Sequence, residues 1–311
     1  MATKTKAKVN PTTEDIDLDS EDLDMDSDLV NEPVVETQSA SGLAVMDFSE
    51  FEQGIEEITR ESEDFVKALI YGANGTGKTT VAGTFPGPRL ILDLNERGTK
   101  ALVGTKESKK RFVDTFDLFQ MSYWYLKTGN HPFKTVVLDN VTTLQELAMK
   151  FVMGKESVFD STKDMDMPTK RDWGGLSQLM KRWLVDFRNL PMNVVFIAQE
   201  KREEEEDIDL SIADDDKDPT VFPMISKSAR SILGGAVDLI GYTYKVVSKT
   251  DEGVVKKKFG MRLVSDKHVT KIRTPIGAAY PTAILNPNYT TLKKIMDGEW
   301  APPQPKSKIK K

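Results

Sequence analysis

The chain has no cysteine and only two histidines among its 311 residues. Without cysteine there is no disulfide framework, no thiolate metal site and no cysteine nucleophile. His131 and His268 are too few to build a histidine metal cage. Long apolar runs are missing as well. The two most apolar stretches, FVKALI from Phe65 and NVVFIA from Asn193, fall far short of the roughly 20 residues that span a bilayer. The opening MATKTKAKVN has no apolar segment of the secretory kind. A soluble cytoplasmic protein without membrane contact is therefore expected. No internal repeat is present, and with 39% apolar residues a full core is available.

Charge is present but unevenly placed. The formal net charge is -6, yet residues 1–40 alone carry -8 and residues 202–218 carry another -8, leaving +10 for the remainder. A modestly basic body with two acidic appendages fits nucleic-acid binding; scattered solvated lysines are the plainer alternative. Composition divides the chain into an acidic tail over 1–45, expected to be disordered, a globular domain over 46–300 carrying an acidic insertion at 202–219, and a basic, proline-containing tail over 301–311.

The globular part alternates strand and helix. Strands are expected over 65–71, 89–94, 135–139 and 193–199, the last two short, continuous and β-branched as buried strands are. Helices are expected over 78–83, 117–128, 142–153 and 174–190, with Leu176, Met180, Trp183, Leu184 and Phe187 at helical spacing in the last. This rhythm predicts an α/β fold with a mostly parallel sheet flanked by helices. After residue 220 the pattern changes. A helix over 225–233, a strand over 237–247, a turn at 249–253, a strand over 255–264 and a short strand ending near Lys271 read as an antiparallel C-terminal extension of the same sheet.

One motif carries chemistry. Tyr71–Thr80 reads YGANGTGKTT and contains G-x-x-x-x-G-K-T. Glycines let successive backbone N–H groups wrap a phosphate without Cβ clashes. The loop Gly72, Ala73, Asn74, Gly75, Thr76, Gly77, Lys78, Thr79 and Thr80 is thus the candidate nucleotide cradle. In it Lys78 reaches the outer phosphates and the Thr79 hydroxyl binds Mg²⁺. ATP and Mg²⁺ are the expected cofactors. Asp139, closing TVVLD, is the candidate second Mg²⁺ ligand; the alternative is a cap for the following helix. Glu96, just past RLILDL, is preferred over Asp93 and Asn95 for orienting water, against a solvated pair with Arg97. Gln199, closing NVVFIAQ, is the candidate γ-phosphate sensor, against an ordinary strand-end polar residue.

Taken with the later segments, the P-loop resembles the RecA-like ATPase core, and within it the phage-encoded RecA-like nucleotide-binding proteins of single-strand annealing and recombination. The resemblance spans about residues 60–285. It aligns Asp139 and Asn140 with the Mg²⁺-binding Asp and its polar neighbour, and NVVFIAQ with the strand ending in a nucleotide-sensing Gln. The helix over 176–190 is similar to the one that follows the first DNA-binding loop, placing that loop at about 154–174. This implies DNA contacts by Lys155, Lys163, Lys170, Arg171 and Trp173; for Trp173 the alternative is an anchor in the core. Lys271-Ile-Arg273 resembles the K-x-R element whose cations reach the nucleotide of a neighbouring subunit; an acidic segment of the same chain is the alternative partner. The resemblance thus implies an Mg²⁺-dependent ATPase acting on single-stranded DNA in recombination. It further implies a homo-oligomeric ring or short filament and a single-strand DNA-binding protein as partner. The segment after Gln199 departs from the pattern, being strongly acidic where a second DNA loop is basic. A P-loop kinase and a non-catalytic helicase loader or scaffold are the competing readings.

Overall fold

A computed structural model describes residues 49–53, 55, 65–94, 98–157, 164, 166–203, 220–249 and 255–302. The chain separates into two units, Met1–Glu56 and Glu57–Lys311. In the first, the described element is a short helix, α1 (Ser49–Gln53). No helix among the described residues is long and apolar enough to cross a membrane.

The second unit follows the expected alternation: β1 (Lys67–Gly72), α2 (Lys78–Ala82), β2 (Arg89–Asp93), a 3₁₀ turn at Gly98–Leu102, β3 (Ser108–Phe112), α3 (Phe116–Thr128), β4 (Thr135–Asp139), α4 (Val141–Ser157), α5 (Lys170–Arg188) and β5 (Asn193–Arg202). Then come β6 (Val221–Pro223), α6 (Lys227–Ala236), β7 (Leu239–Lys249), β8 (Val255–Arg262), β9 (Lys271–Ile272), β10 (Ala283–Leu285) and α7 (Tyr289–Met296). One sheet runs in the order β10-β8-β7-β1-β5-β4-β2-β3, with β6 added to β5 and β9 to β7. Its pairs from β7 to β3 are all parallel. The expected α/β architecture is therefore the observed one.

Period-two alternation sorts the strand side chains onto two faces. Leu69, Tyr71, Leu138, Phe196 and Ala198 join a core covered by α3, α4, α5 and α6. Ala68, Ile70, Val137, Val195 and Ile197 join the opposite core with α2 and α7. On the first face Trp183 stands edge-on to Phe116, Phe119 and Tyr123, while Phe119 stacks on Phe187 at 4.8 Å between centroids. Burying side chains of this size contributes on the order of 2–3 kcal/mol each, which fixes the helical layer firmly over the sheet.

Strand β6, strand β10 and helix α7 were not expected, α4 runs four residues past its expected end, and three further differences have a physical reason. Helix α5 begins at Lys170, not 174, because Thr169 and Asp172 form a reciprocal capping box ahead of the Gly174-Gly175 pair. Gly175 is tolerated within the helix because a Cβ there would come to 3.1 Å from Val152. Strand β3, SKKRF, has no apolar alternation; it is an edge strand, where lysines guard against pairing with other chains. Finally, β7 is parallel to β1, so the antiparallel extension starts only at β8. A chain that leaves the sheet, forms a helix over one face and returns enters in its former direction, and α6 is that crossover.

Candidate nucleotide site at the carboxyl ends of the strands

Strand register brings the chemistry together. Gly72 pairs with Gln199 on one side and Thr243 on the other, while Asp139 pairs with Ile197 and with Asp93. Alternation then puts Gln199, Asp139 and Asp93 on the face that carries α2, since Ile197, Val137 and Ile91 lie in that core. β5 sits between β1 and β4, so the amide of Gln199 lies between the phosphate loop and the Asp139 carboxylate.

The loop from Gly72 to Thr80 has the shape of an anion cradle. Gly75 and Gly77 have φ of 67° and 92°, values a side chain resists. A Cβ on Gly72 would stand 2.4 Å from the Thr243 carbonyl oxygen and one on Gly77 2.8 Å from the Phe259 ring, so both positions need glycine for space as well. The Thr76 hydroxyl donates to the Ala73 carbonyl at 2.8 Å and lies 2.7 Å from the Thr243 hydroxyl. Gly77 caps α2 with no side-chain acceptor, leaving the first N–H groups of the turn for an outside anion. Ala73, Asn74 and Thr80 complete the rim, Asn74 and Thr80 exposed.

Two polar pairs close the site. Lys78 is buried, and its ammonium donates to the carbonyls of Gly72 at 2.8 Å and Ala73 at 3.0 Å and to Gln199 Oε1 at 3.1 Å. The Thr79 hydroxyl donates to Asp139 Oδ2 at 2.7 Å. Capping of α4 involves the next residue instead, the Asn140 side chain accepting from Thr143 N at 2.9 Å. Gln199 is held from behind, its N–H donating to the Thr142 hydroxyl at 3.1 Å. Asp93 is 1% exposed beside Asp139. Glu96 lies outside the described residues, but Gly98 approaches the pair, a Cβ on it falling 3.9 Å from Asp139 Oδ2 and 4.0 Å from Thr79 Oγ1. One hydroxyl and one carboxylate are hard oxygen donors of the kind Mg²⁺ takes from a protein when phosphates and waters complete its shell. The residues present thus fit a nucleotide with Mg²⁺.

Residues 64–274, about two thirds of the chain, match the family described as an AAA domain. The chain belongs to this family of P-loop ATPases. Among curated proteins none matches it.

In this AAA domain the remaining candidates lie elsewhere. Lys271 and Arg273 sit by the amino end of β7, where β9 pairs with Leu239 and Ile240, whereas Thr243, further along the strand, is level with Gly72 of the phosphate loop. Both side chains point the same way, as alternation requires. Lys271 donates to the carbonyls of Gly234 and Gly235; Arg273 donates to Gly235 and pairs with Asp238 at 3.0 Å. Cations at the last carbonyls of α6 offset the negative end of its dipole. Burial, with Arg273 beside it, holds Lys271 below the usual lysine pKa.

The proposed DNA loop is shorter than expected, since α4 runs to Ser157 and α5 starts at Lys170. Lys163 lies outside the described residues, as does 204–219 of the acidic insertion. Lys155 is exposed on the last turn of α4, over the Phe151 ring at 4.3 Å. Lys170 and Arg171 are exposed on the first turn of α5, and Trp173 is 56% exposed, which sets aside the core-anchor alternative.

Sequence reasoning missed the contribution of β7 and β8. Thr243, Lys245 and Phe259 all reach the phosphate loop. The signal available was a polar residue, Thr243, at an inward position of an apolar strand, repeated two residues later by Lys245.

Proposed function

We propose that this AAA-domain protein is a Mg²⁺-dependent ATPase of RecA-like type that works on single-stranded DNA in annealing or strand exchange. The observation that carries the catalytic part is the convergence of Lys78 with Gln199 and of Thr79 with Asp139 on one face of the sheet. Bound Mg²⁺ would withdraw charge from the outer phosphates of ATP. Thr79 and Asp139 would hold the ion. Lys78, loosened from the loop carbonyls, would place its charge where the transition state gathers it. Gln199 would exchange its bond to Lys78 for one to the γ-phosphate. Glu96 is the proposed water-orienting carboxylate. Turnover of ATP, measured with and without single-stranded DNA, tests the reading. Nucleotide binding without turnover would leave a nucleotide-gated loader or scaffold in its place.

DNA contact is assigned to the first turn of α5 and the segment before it. Two cations at a helix N-terminus oppose the dipole, and Trp173 leaves more than half of its surface in solvent, so helix stability alone would not select this turn. Phosphate contacts for Lys170, Arg171 and Lys163 and stacking for Trp173 account for both. Replacing the three cations together with glutamine is expected to weaken single-stranded DNA binding about ten-fold or more at low salt and to flatten its salt dependence. An unchanged salt slope removes the contact.

We place Lys271 and Arg273 at an interface between copies in a ring or short filament, where they act on a neighbour's nucleotide. Losing one exposed ion pair costs roughly 0.2–1 kcal/mol, so Arg273→Ala should fold normally yet lose most turnover. Mixed with Lys78→Ala protein it should regain part of it, one variant providing the loop and the other the finger. Mixtures that co-assemble but stay inactive at every ratio overturn the trans role.

A further inference from the structure

The β7–β8 hairpin continues beyond the end of β1. Gly72, the last residue of β1, is level with Thr243, whereas β7 runs on to Lys249 and stays paired with β8 as far as Val255. Three of its side chains meet the phosphate loop. The Thr243 hydroxyl donates to the Tyr71 carbonyl at 3.1 Å and touches the Thr76 hydroxyl. Lys245 comes next on the same face, and a Cβ built on Gly75 would stand 3.3 Å from its Nζ. Phe259, directly opposite Lys245 across the hairpin, covers Gly77. The loop is therefore bracketed by a cross-strand pair, the ammonium against its middle and the ring against its end.

From this placement we infer that Lys245 is a second phosphate-binding cation, contributed in cis, for the nucleoside di- or triphosphate held by the loop. The inference rests on the nucleotide reading above. Edge protection alone does not account for a lysine here. Beyond Thr243 strand β7 is paired with β8 only, but a charge that merely guards that free side has no need to stand against the phosphate loop. Lys245 is exposed, and no described residue forms an ion pair or hydrogen bond with it. It stands instead against a loop whose N–H groups already present positive potential, with the Lys78 ammonium behind them. Positive groups gathered this way repel one another until an anion enters. Phe259 fixes the approach, because the ring seated on Gly77 holds the hairpin at the distance from which a four-carbon stem reaches the rim.

The test is calorimetric titration of ADP and of ATP into wild type, Lys245→Gln, Lys245→Arg and Lys78→Ala protein at two salt concentrations, with thermal melting of each. Lys245→Gln is expected to melt within a degree or two of wild type and to lose roughly ten-fold in affinity for both nucleotides, the factor that goes with one charge-assisted hydrogen bond. Its affinity should also depend less on salt, and Lys245→Arg should keep most of the binding. Wild-type affinity and wild-type salt dependence in Lys245→Gln overturn the assignment while leaving the loop's role intact. Equal losses in the Gln and Arg variants with unaltered salt dependence also overturn it, since a contact by shape and not by charge would then be at work. If wild-type protein binds neither nucleotide, the nucleotide reading itself falls and this inference falls with it.

Discussion

Lys78→Ala protein should bind ATP and ADP at least about 100-fold more weakly than wild type and show no measurable turnover, while remaining folded. The ammonium is the one charge set inside the phosphate loop, bonded to the Gly72 and Ala73 carbonyls and to Gln199 Oε1. Charge-assisted bonds to phosphate are about twice as strong as neutral ones, and the residue is 8% exposed, so water screens the interaction poorly. Truncation removes three donated bonds but also removes a buried charge and its desolvation cost. The two effects oppose each other, and the melting temperature should move by only a few degrees. The shape of the cradle does not depend on the lysine either. It is held by the Thr76 bonds to Ala73 and Thr243 and by glycines that admit no side chain. Calorimetry on the folded variant checks the result. Affinity and turnover equal to wild type would remove Lys78, and with it the phosphate-loop assignment, from the site.

The parts of this site that are local in sequence were legible in it. A glycine-rich turn between a strand and a helix is a complete device within ten residues, and short β-branched runs that end in Asp139 or Gln199 announce both a buried strand and the side chain at its carboxyl end. The architecture followed from the same alternation of runs. What the sequence did not disclose depends on strand order. Thr243 meets Thr76 across a separation of 167 residues, and nothing in the periodicity of 237–247 says that this strand will lie beside β1. The α6 crossover makes it do so. Lys245 and Phe259 follow as consequences of that neighbour and of the hairpin register. The start of α5 was misplaced for a local reason, since the Gly174-Gly175 pair resembles a helix boundary until the capping box of Thr169 and Asp172 is seen to start the helix before it. Edge strand β3 escaped because its charge serves to prevent pairing with other chains and leaves no apolar pattern to read.

Asp139→Asn should separate metal from nucleotide. The carboxylate is 6% exposed and accepts from the Thr79 hydroxyl at 2.7 Å. An asparagine of the same shape still offers Oδ1 to that hydroxyl, and the cap on α4 belongs to Asn140, so neither the loop nor the helix loses its support. Only the negative charge is gone. Mg²⁺ draws few ligands from protein and is sensitive to their charge, so the ion should be held much less firmly between Thr79 and the phosphates. Binding of ATP in the presence of a chelator should therefore stay within about two-fold of wild type, or tighten slightly, because a polyanion no longer approaches a buried carboxylate. The gain in ATP affinity on adding Mg²⁺ should largely vanish, and turnover should fall by about 100-fold or more, the scale of losing one electrostatic element aimed at the reacting phosphates. Raising Mg²⁺ far above the wild-type requirement should recover part of the rate, which a misfolded loop would not allow. Titrations with and without Mg²⁺ on the same preparation give all of these quantities. If metal-free and Mg²⁺-dependent binding decline together in a protein that melts like wild type, the carboxylate shapes the cradle through Thr79 and does not hold the ion.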